Sequence, residues 1–161
     1  MNIKSRHHLK GSESKRVIRK IKPLMEDPSA LKGVPLEIAE TDLKFDLIFI
    51  KGKPLLMSFE GQAFFTVRGA LELLPHKMLV VVDSGAVKYI VNGADVMCPG
   101  IVDADPEIEP GDLVVVIEEK HKKPLAIGKA LLSGSDMGGE KGKAVRSLHH
   151  VGDEVWNITN E

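Results

Sequence analysis

The 161-residue sequence predicts an α+β fold made of two small domains, residues 1–75 and residues 76–161. Short apolar or β-branched runs recur along the whole chain, and in the second half turn residues separate them about every eight to twelve positions, as in a small β-barrel. Helical periodicity is confined to three segments, so helices are the minority element. With 43% hydrophobic residues, the chain can bury an ordinary core.

The first segment with helical periodicity lies in a cluster of basic residues. Ser12 or Ser14 is a suitable N-cap, apolar residues recur at helical spacing as far as Met25, and Asp27-Pro28 is expected to end the helix. Residues 1–22 hold eight Lys and Arg against one acid, a local net charge of +7 in a chain whose formal net charge is -1. Two interpretations stay open: a solvated basic face, or a face that contacts a polyanion or a protein partner.

The rest of the first domain predicts a small antiparallel sheet and a second helix. Lys51-Gly52-Lys53 separates two apolar runs and predicts a hairpin turn. The helix covers residues 66–74, because Val67, Ala70, Leu71 and Leu74 share one face, and Pro75 stops it. The predicted strands are residues 35–39, 45–50, 54–59 and 62–65.

Residues 78–101 combine strand, helix and turn signals at tight spacing. Leu79 to Val82 is a short β-branched run typical of a buried strand, and the next three residues offer N-cap chemistry for a helix over residues 84–92. Gly93 follows where a helix commonly ends in a left-handed residue, so we expect a positive φ there. The chain then re-enters a sheet over residues 94–98 and turns at Pro99-Gly100.

The charge changes sign twice in the last third of the chain. Residues 103–119 carry seven acids and no Lys or Arg, which predicts a surface that repels RNA, although the apolar run 113–117 within them predicts a strand covered on both sides. Residues 120–149 hold seven basic residues against two acids, a net +5. Further strands are predicted at residues 125–132 and 144–148, and a last strand at residues 155–158 is expected to close the sheet.

Several kinds of chemistry lack their motifs. The sequence has neither a phosphate-binding P-loop nor a dinucleotide fingerprint. His7-His8 and His149-His150 are adjacent pairs that diverge on a strand, so we expect no metal site. Because these motifs are missing, we also expect no cofactor and no catalytic residue. The single cysteine, Cys98, is expected to be a small buried hydrophobe in a reducing cytoplasm, and no apolar run is long enough to predict a membrane span.

The order of these motifs is similar to that of a PUA domain, an RNA-binding fold. The motifs are the strand with Asp83-Ser84-Gly85-Ala86, the segments 92–94 and 97–100, Pro110-Gly111-Asp112 before a strand, and the runs 124–132 and 142–149. With Ile3-Lys4-Ser5 and the basic helix upstream, the chain resembles stand-alone proteins with a pre-PUA α/β domain and a PUA domain, related to the malignant T-cell amplified sequence and ligatin-type translation factors.

That resemblance implies an RNA-binding groove between the helix after Asp83, the following strand and the last strands. The residues carried over to the groove are Lys88, Gly93, Ala94, Asp95, Met97, Pro99, Gly100, Lys129, Arg146 and His149. Gly93 is expected to be where the protein main chain comes closest to RNA. The alternative is that the glycines serve turn geometry only, with Met97 in the core and Lys88 in solvent.

The leading functional prediction is a non-enzymatic, cytoplasmic RNA-binding protein that acts in translation. Its RNA would be structured, either the acceptor region of a tRNA or an rRNA element, and a ribosomal subunit or a translation factor is the expected partner. Two alternatives stay open: an accessory RNA-binding module supplied in trans to an RNA-modification enzyme, or a protein-interaction module whose groove is unused.

Overall fold

The structure is a computed structural model that describes residues 1–158. Contacts divide the chain into two compact units. The first, here the N-terminal unit, is Met1–Pro75 with Asn157 and Ile158, and the second, the barrel unit, is His76–Trp156. Both units are built mainly from strands with a few short helices, so the predicted α+β class is confirmed.

The N-terminal unit contains a five-stranded antiparallel sheet in the order β1-β2-β3-β4-β5. Each strand pairs with its sequence neighbour: tight turns connect β3, β4 and β5, whereas the segment that contains α1 connects β1 to β2. Lys51 and Gly52 both have positive φ (53° and 80°), which confirms the hairpin predicted there. The strands are β1 (Ile3–His8), β2 (Leu36–Thr41), β3 (Asp46–Ile50), β4 (Lys53–Phe59) and β5 (Gln62–Phe65).

Helix α1 (Gly11–Ile21) starts and stops earlier than its sequence predicts. Lys10 is the N-cap and no side chain caps the helix, so the predicted cap by Ser12 or Ser14 is wrong. The helix gives way to a 3₁₀ turn (Lys22–Leu24), well before Asp27, because Pro23 has no N–H with which to continue the ladder. A second 3₁₀ turn, Pro28–Leu31, follows and buries Leu31.

Helix α2 (Val67–Leu73) is anchored by its first residues. Thr66 is its N-cap, and the Thr66 hydroxyl accepts a hydrogen bond from the Gly69 N–H at 3.0 Å and donates one to the Pro54 carbonyl at 2.7 Å. A β-carbon at Gly69 would lie 1.7 Å from the Leu55 carbonyl oxygen, so only glycine lets the helix approach β4 this closely.

The barrel unit contains one mixed six-stranded sheet in the order β7-β11-β10-β9-β6-β8, which curls into a nearly closed barrel. Strands β6 and β9 are parallel and every other pair is antiparallel. A buried cluster that includes Val80, Ile90, Val114, Val116 and Val145 fills the interior. The strands are β6 (Leu79–Val82), β7 (Val96–Met97), β8 (Ile101–Ala104), β9 (Leu113–Glu118), β10 (Pro124–Ala130) and β11 (Lys143–His150).

Three details of the barrel unit correct the sequence predictions. The helix expected over residues 84–92 is a 3₁₀ turn (Ser84–Ala86) followed by one turn of α-helix, α3 (Val87–Ile90). Strand β8 was not predicted, because its surroundings are acidic. Residues 155–158 are not a strand, because the Asp153 carboxylate accepts hydrogen bonds from the backbone N–H groups of His150 and Trp156, each at 2.9 Å, and holds a turn.

Within residues 1–158 no helix is long and apolar enough to cross a membrane.

Candidate nucleic-acid interface

A cavity of about 580 Å³ opens on the barrel unit beside α3, and we call it the groove. Five residues expected at the RNA site line it: Ala94, Asp95, Met97, Pro99 and Gly100. The remaining lining comes from the start and one face of the helical segment, from β7 and from the start of β11: Asp83, Gly85, Ala86, Tyr89, Ile90, Val96 and Lys143. Most of these side chains are apolar, so the groove is an apolar slot with charges at its margin.

One wall of the groove is fixed by the start of the helical segment. The Asp83 carboxylate caps it by accepting a hydrogen bond from the Ala86 N–H at 3.0 Å, and the Asp83 N–H donates to the Gly100 carbonyl at 2.9 Å. A β-carbon at Gly100 would lie 3.3 Å from the Ala86 β-carbon. Small residues on both sides therefore let the two segments that form this wall pack closely.

The opposite wall carries an internal ion pair. Asp95 accepts a hydrogen bond from the Ser147 N–H at 2.9 Å and lies 3.2 Å from the Lys143 ammonium. The Ser147 N–H is the main reason that the pKa of Asp95 lies below its usual value, and Lys143 and Arg146 lower it further against partial burial. The carboxylate thus remains ionised and is occupied within the protein, where it positions Lys143 at the margin of the groove.

Two exposed side chains form the rim. Tyr89 is 59% exposed and Met97 is 45% exposed, although both are large and hydrophobic. The Lys88 ammonium lies 5.1 Å from the centroid of the Tyr89 ring, within cation–π range. An aromatic face beside an ammonium group offers both stacking for a base and a counter-charge for its phosphate.

Gly93 has the expected positive φ, at +94°, but its missing side chain does not face the groove. A β-carbon there would lie 3.2 Å from the His150 Nε2, so any larger residue would first displace that imidazole. The structure therefore gives Gly93 a conformational role, and its approach to RNA stays a prediction.

The three residues expected from the last strands differ in their surroundings. Lys129 and Arg146 are direct neighbours across β10 and β11, and Arg146 is exposed. His149 is only 1% exposed, and its Nδ1 lies 2.8 Å from the Asp153 carboxylate. The His149 side chain is therefore buried within the protein, next to a register shift between Ile127 and Gly128, and its contact with RNA stays a prediction.

Sequence analysis missed the two most suitable ligand-facing groups. Tyr89 is not among the residues predicted for the RNA site, although it is the only tyrosine in the sequence and directly follows Lys88. Lys143 was counted only as part of a basic segment, because its pairing with Asp95 joins positions far apart in the chain. Its place within the GKAVRSLH motif was the available signal.

Comparison with known proteins identifies the family. The sequence profile of the PUA domain matches residues 78–152. A conserved PUA domain protein from Thermoplasma acidophilum is 31% identical, with 94% of this chain and 97% of that chain covered and a TM-score of 0.77. The chain belongs to the PUA-domain family.

Other relatives match nearly the whole chain, including the N-terminal unit. An uncharacterized protein of Methanocaldococcus jannaschii is 41% identical over 98% of this chain and 99% of its own length. Translation machinery-associated protein 20 of Saccharomyces cerevisiae is 29% identical over 99% of this chain and 96% of its own length. These matches confirm the resemblance to the malignant T-cell-amplified sequence family. The PUA domain is an RNA-binding domain.

Proposed function

We propose that this PUA-domain protein binds RNA in translation and that its groove receives a single-stranded end, as at the acceptor region of a tRNA. The observation that carries this proposal is the shape of the groove. An apolar slot of about 580 Å³ with Tyr89 and Met97 at its rim suits one or two unstacked nucleotides, whereas a duplex is too wide to enter it.

The charges around the groove suit the phosphates of such an RNA end. Lys88, beside the Tyr89 ring, and Lys143, which lines the groove next to Asp95, would meet phosphates. The Asp83 and Asp95 carboxylates are already engaged by backbone N–H groups. Arg146 adds a third cation on the side of Lys143. The bases would then lie against the Tyr89 ring and the Met97 side chain, and the protein would hold the RNA end without chemical change.

The relatives, rather than the groove, support the proposal of a partner in translation. Because translation machinery-associated protein 20 matches nearly this whole chain, we place the protein in the cytoplasm on a ribosomal subunit or on tRNA bound there. Co-purification tests this: ribosomal subunits in the eluate support it, one modification enzyme favours the accessory role, and protein partners without nucleic acid favour an unused groove.

Binding of tRNA with and without its single-stranded 3′ end tests the groove. We expect at least a tenfold loss of affinity on trimming. Tyr89→Ala should weaken binding of intact tRNA about 5- to 150-fold, because stacking on an aromatic ring contributes roughly 1–3 kcal/mol per base.

Val102→Ala is the matched control, since Val102 is an equally exposed (52%) hydrophobic residue of the barrel unit outside the groove. It should bind like the parent. Equal affinity of the parent for intact and trimmed tRNA, with no effect of Tyr89→Ala, would refute the single-stranded-end assignment.

A further inference from the structure

A second cavity, of about 410 Å³, lies entirely within the N-terminal unit, and we call it the basic pocket. Four cationic side chains line it: Lys15, Arg19, Lys22 and Lys32. Ile18 and the buried Leu31 provide apolar lining. Among the described residues no carboxylate lines the pocket, so every charged side chain in that lining is positive.

The chain brings these cations together by two routes. Lys15, Arg19 and Lys22 follow one another at i, i+4 and i+7, so they lie on one side of α1 and its continuation into the 3₁₀ turn. Lys32 comes from the opposite wall, where Leu31 is 1% exposed and anchors the chain, and Gly33 with φ +68° then turns it. Like charges at helical spacing repel one another, so this arrangement favours an anion between them.

The part of the chain that the structure describes does not neutralise the pocket. Among residues 1–158, no ion pair involves any of the four pocket cations. Asp27, the N-cap of the 3₁₀ turn that ends at Leu31, is occupied by Ser29, whose N–H and hydroxyl donate to it at 3.1 Å and 2.6 Å. Elsewhere in the same unit cations do find partners, as in the ion pair of Arg6 with Glu37 at 2.7 Å.

We propose that the basic pocket binds backbone phosphates of RNA and gives the N-terminal unit an RNA contact of its own. The choice of RNA as the source of phosphate rests on the proposed function. Seven residues of helix span about 10 Å at roughly 1.5 Å per residue, so Lys15 to Lys22 can serve more than one phosphate. The Arg19 guanidinium offers a planar fork of donors that matches phosphate oxygens, and the lysines add point charges.

An acidic protein segment is the competing ligand, and the composition of the pocket argues against it. Protein interfaces are centred on aromatic and other apolar side chains and are poor in lysine, whereas three of the four pocket cations are lysines. Within the described part of the N-terminal unit the exposed large hydrophobic residues are Ile3 and Leu74, and neither lines the pocket.

A blunt RNA duplex separates the pocket from the groove, because it has no single-stranded end. We would measure its affinity over a series of salt concentrations for Lys15→Gln/Arg19→Gln and for Arg16→Gln/Lys20→Gln. Both double variants remove two charges from exposed positions of α1, but only the first pair lines the pocket. Circular dichroism shows whether both fold.

The pocket variant should lose at least tenfold in affinity at low salt, and its slope of log affinity against log salt should shrink by about two, close to one per phosphate contact. The control should change less than half as much. Equal losses would show that only total charge matters and would overturn the pocket. Tyr89→Ala should leave duplex binding unchanged, so a failed groove and a failed pocket give different results.

Pyrophosphate provides a second measurement on the parent protein. At constant ionic strength, its titration should give saturable NMR shifts of the Lys32 and Gly33 amides that are absent in the pocket variant. Absence of saturation in the parent would overturn a phosphate site. Poly-glutamate that competes with the duplex as well as an equally charged RNA would overturn the assignment to RNA.

Discussion

Replacement of Gly93 by alanine tests whether the fold requires the backbone conformation of this residue or whether the residue only leaves space for a ligand. At φ +94° an alanine side chain is strained, which costs about 1–2 kcal/mol. The new β-carbon would also lie 3.2 Å from the His150 Nε2, but that imidazole is only partly buried and can shift by the few tenths of an ångström required. We therefore expect Gly93→Ala to lower the free energy of unfolding by about 1–2 kcal/mol, most of it from the backbone.

The assay is urea unfolding, where the midpoint should fall at an unchanged slope. Gly85→Ala is the matched control, because Gly85 lines the groove and lacks a positive φ. A β-carbon at Gly85 would lie 3.4 Å from its nearest atom, a carboxylate oxygen of Asp83, which is an ordinary contact distance. This variant should retain the stability of the parent but narrow the groove. RNA affinity should therefore fall in Gly85→Ala and hold in folded Gly93→Ala.

An unchanged urea midpoint for Gly93→Ala would refute the strain at this position. In His150→Ala/Gly93→Ala the contact with the imidazole is gone, so the cost that remains measures the backbone alone. If that double variant regained the stability of His150→Ala, the contact rather than φ would be the cause.

Two further predictions concern stability. The pKa of Asp153 is held below its ordinary 3.8: burial opposes ionisation, but His149 and the N–H groups of Trp156 and His150 outweigh it. A depressed pKa contributes stability that is present above pH 3.8 and is lost as the pH falls through the pKa of the folded state. The urea midpoint should therefore decline in acid more for the parent than for Asp153→Asn. Parallel declines of the two proteins would contradict this. Gly69→Ala should destabilise the protein by about 3 kcal/mol or more in thermal unfolding, because the new β-carbon would overlap the Leu55 carbonyl. A melting temperature near that of the parent would show that α2 can move away from β4.

Local signals predicted a large part of the barrel unit. The β-branched run Leu79–Val82 and the continuous apolar run in β9 are strands where they were expected, because fully buried strands require apolar residues at successive positions. The positive φ of Gly93 followed from helix-end chemistry alone. Five of the residues predicted for the site line the groove together because they lie within seven positions of one another, in and next to β7 and the turn that follows it.

Features that depend on pairing between distant segments were not predictable in this way. Nothing in the local pattern shows that β6 and β9 run parallel, or that β8 pairs with β6 despite its acidic residues. His149 is buried beside a register shift between β10 and β11, and a two-residue period cannot reveal such a shift. The basic pocket likewise needs Lys32 to fold back on α1, whereas the charge count indicated only that α1 was basic.

The two outer strands of the barrel sheet, β7 and β8, are at opposite ends of the strand order yet are separated in sequence only by Cys98–Gly100. This short tether is held from both sides, since the Cys98 N–H donates to the Gly142 carbonyl and the Gly100 carbonyl accepts from the Asp83 N–H, each at 2.9 Å. The edges therefore cannot fray independently: release of the tether loosens both at once, and local opening here is a single cooperative event. An RNA end that lies against Met97, Pro99 and Gly100 would oppose this local opening by mass action. Binding in the groove would therefore slow amide hydrogen exchange along both edges of the sheet.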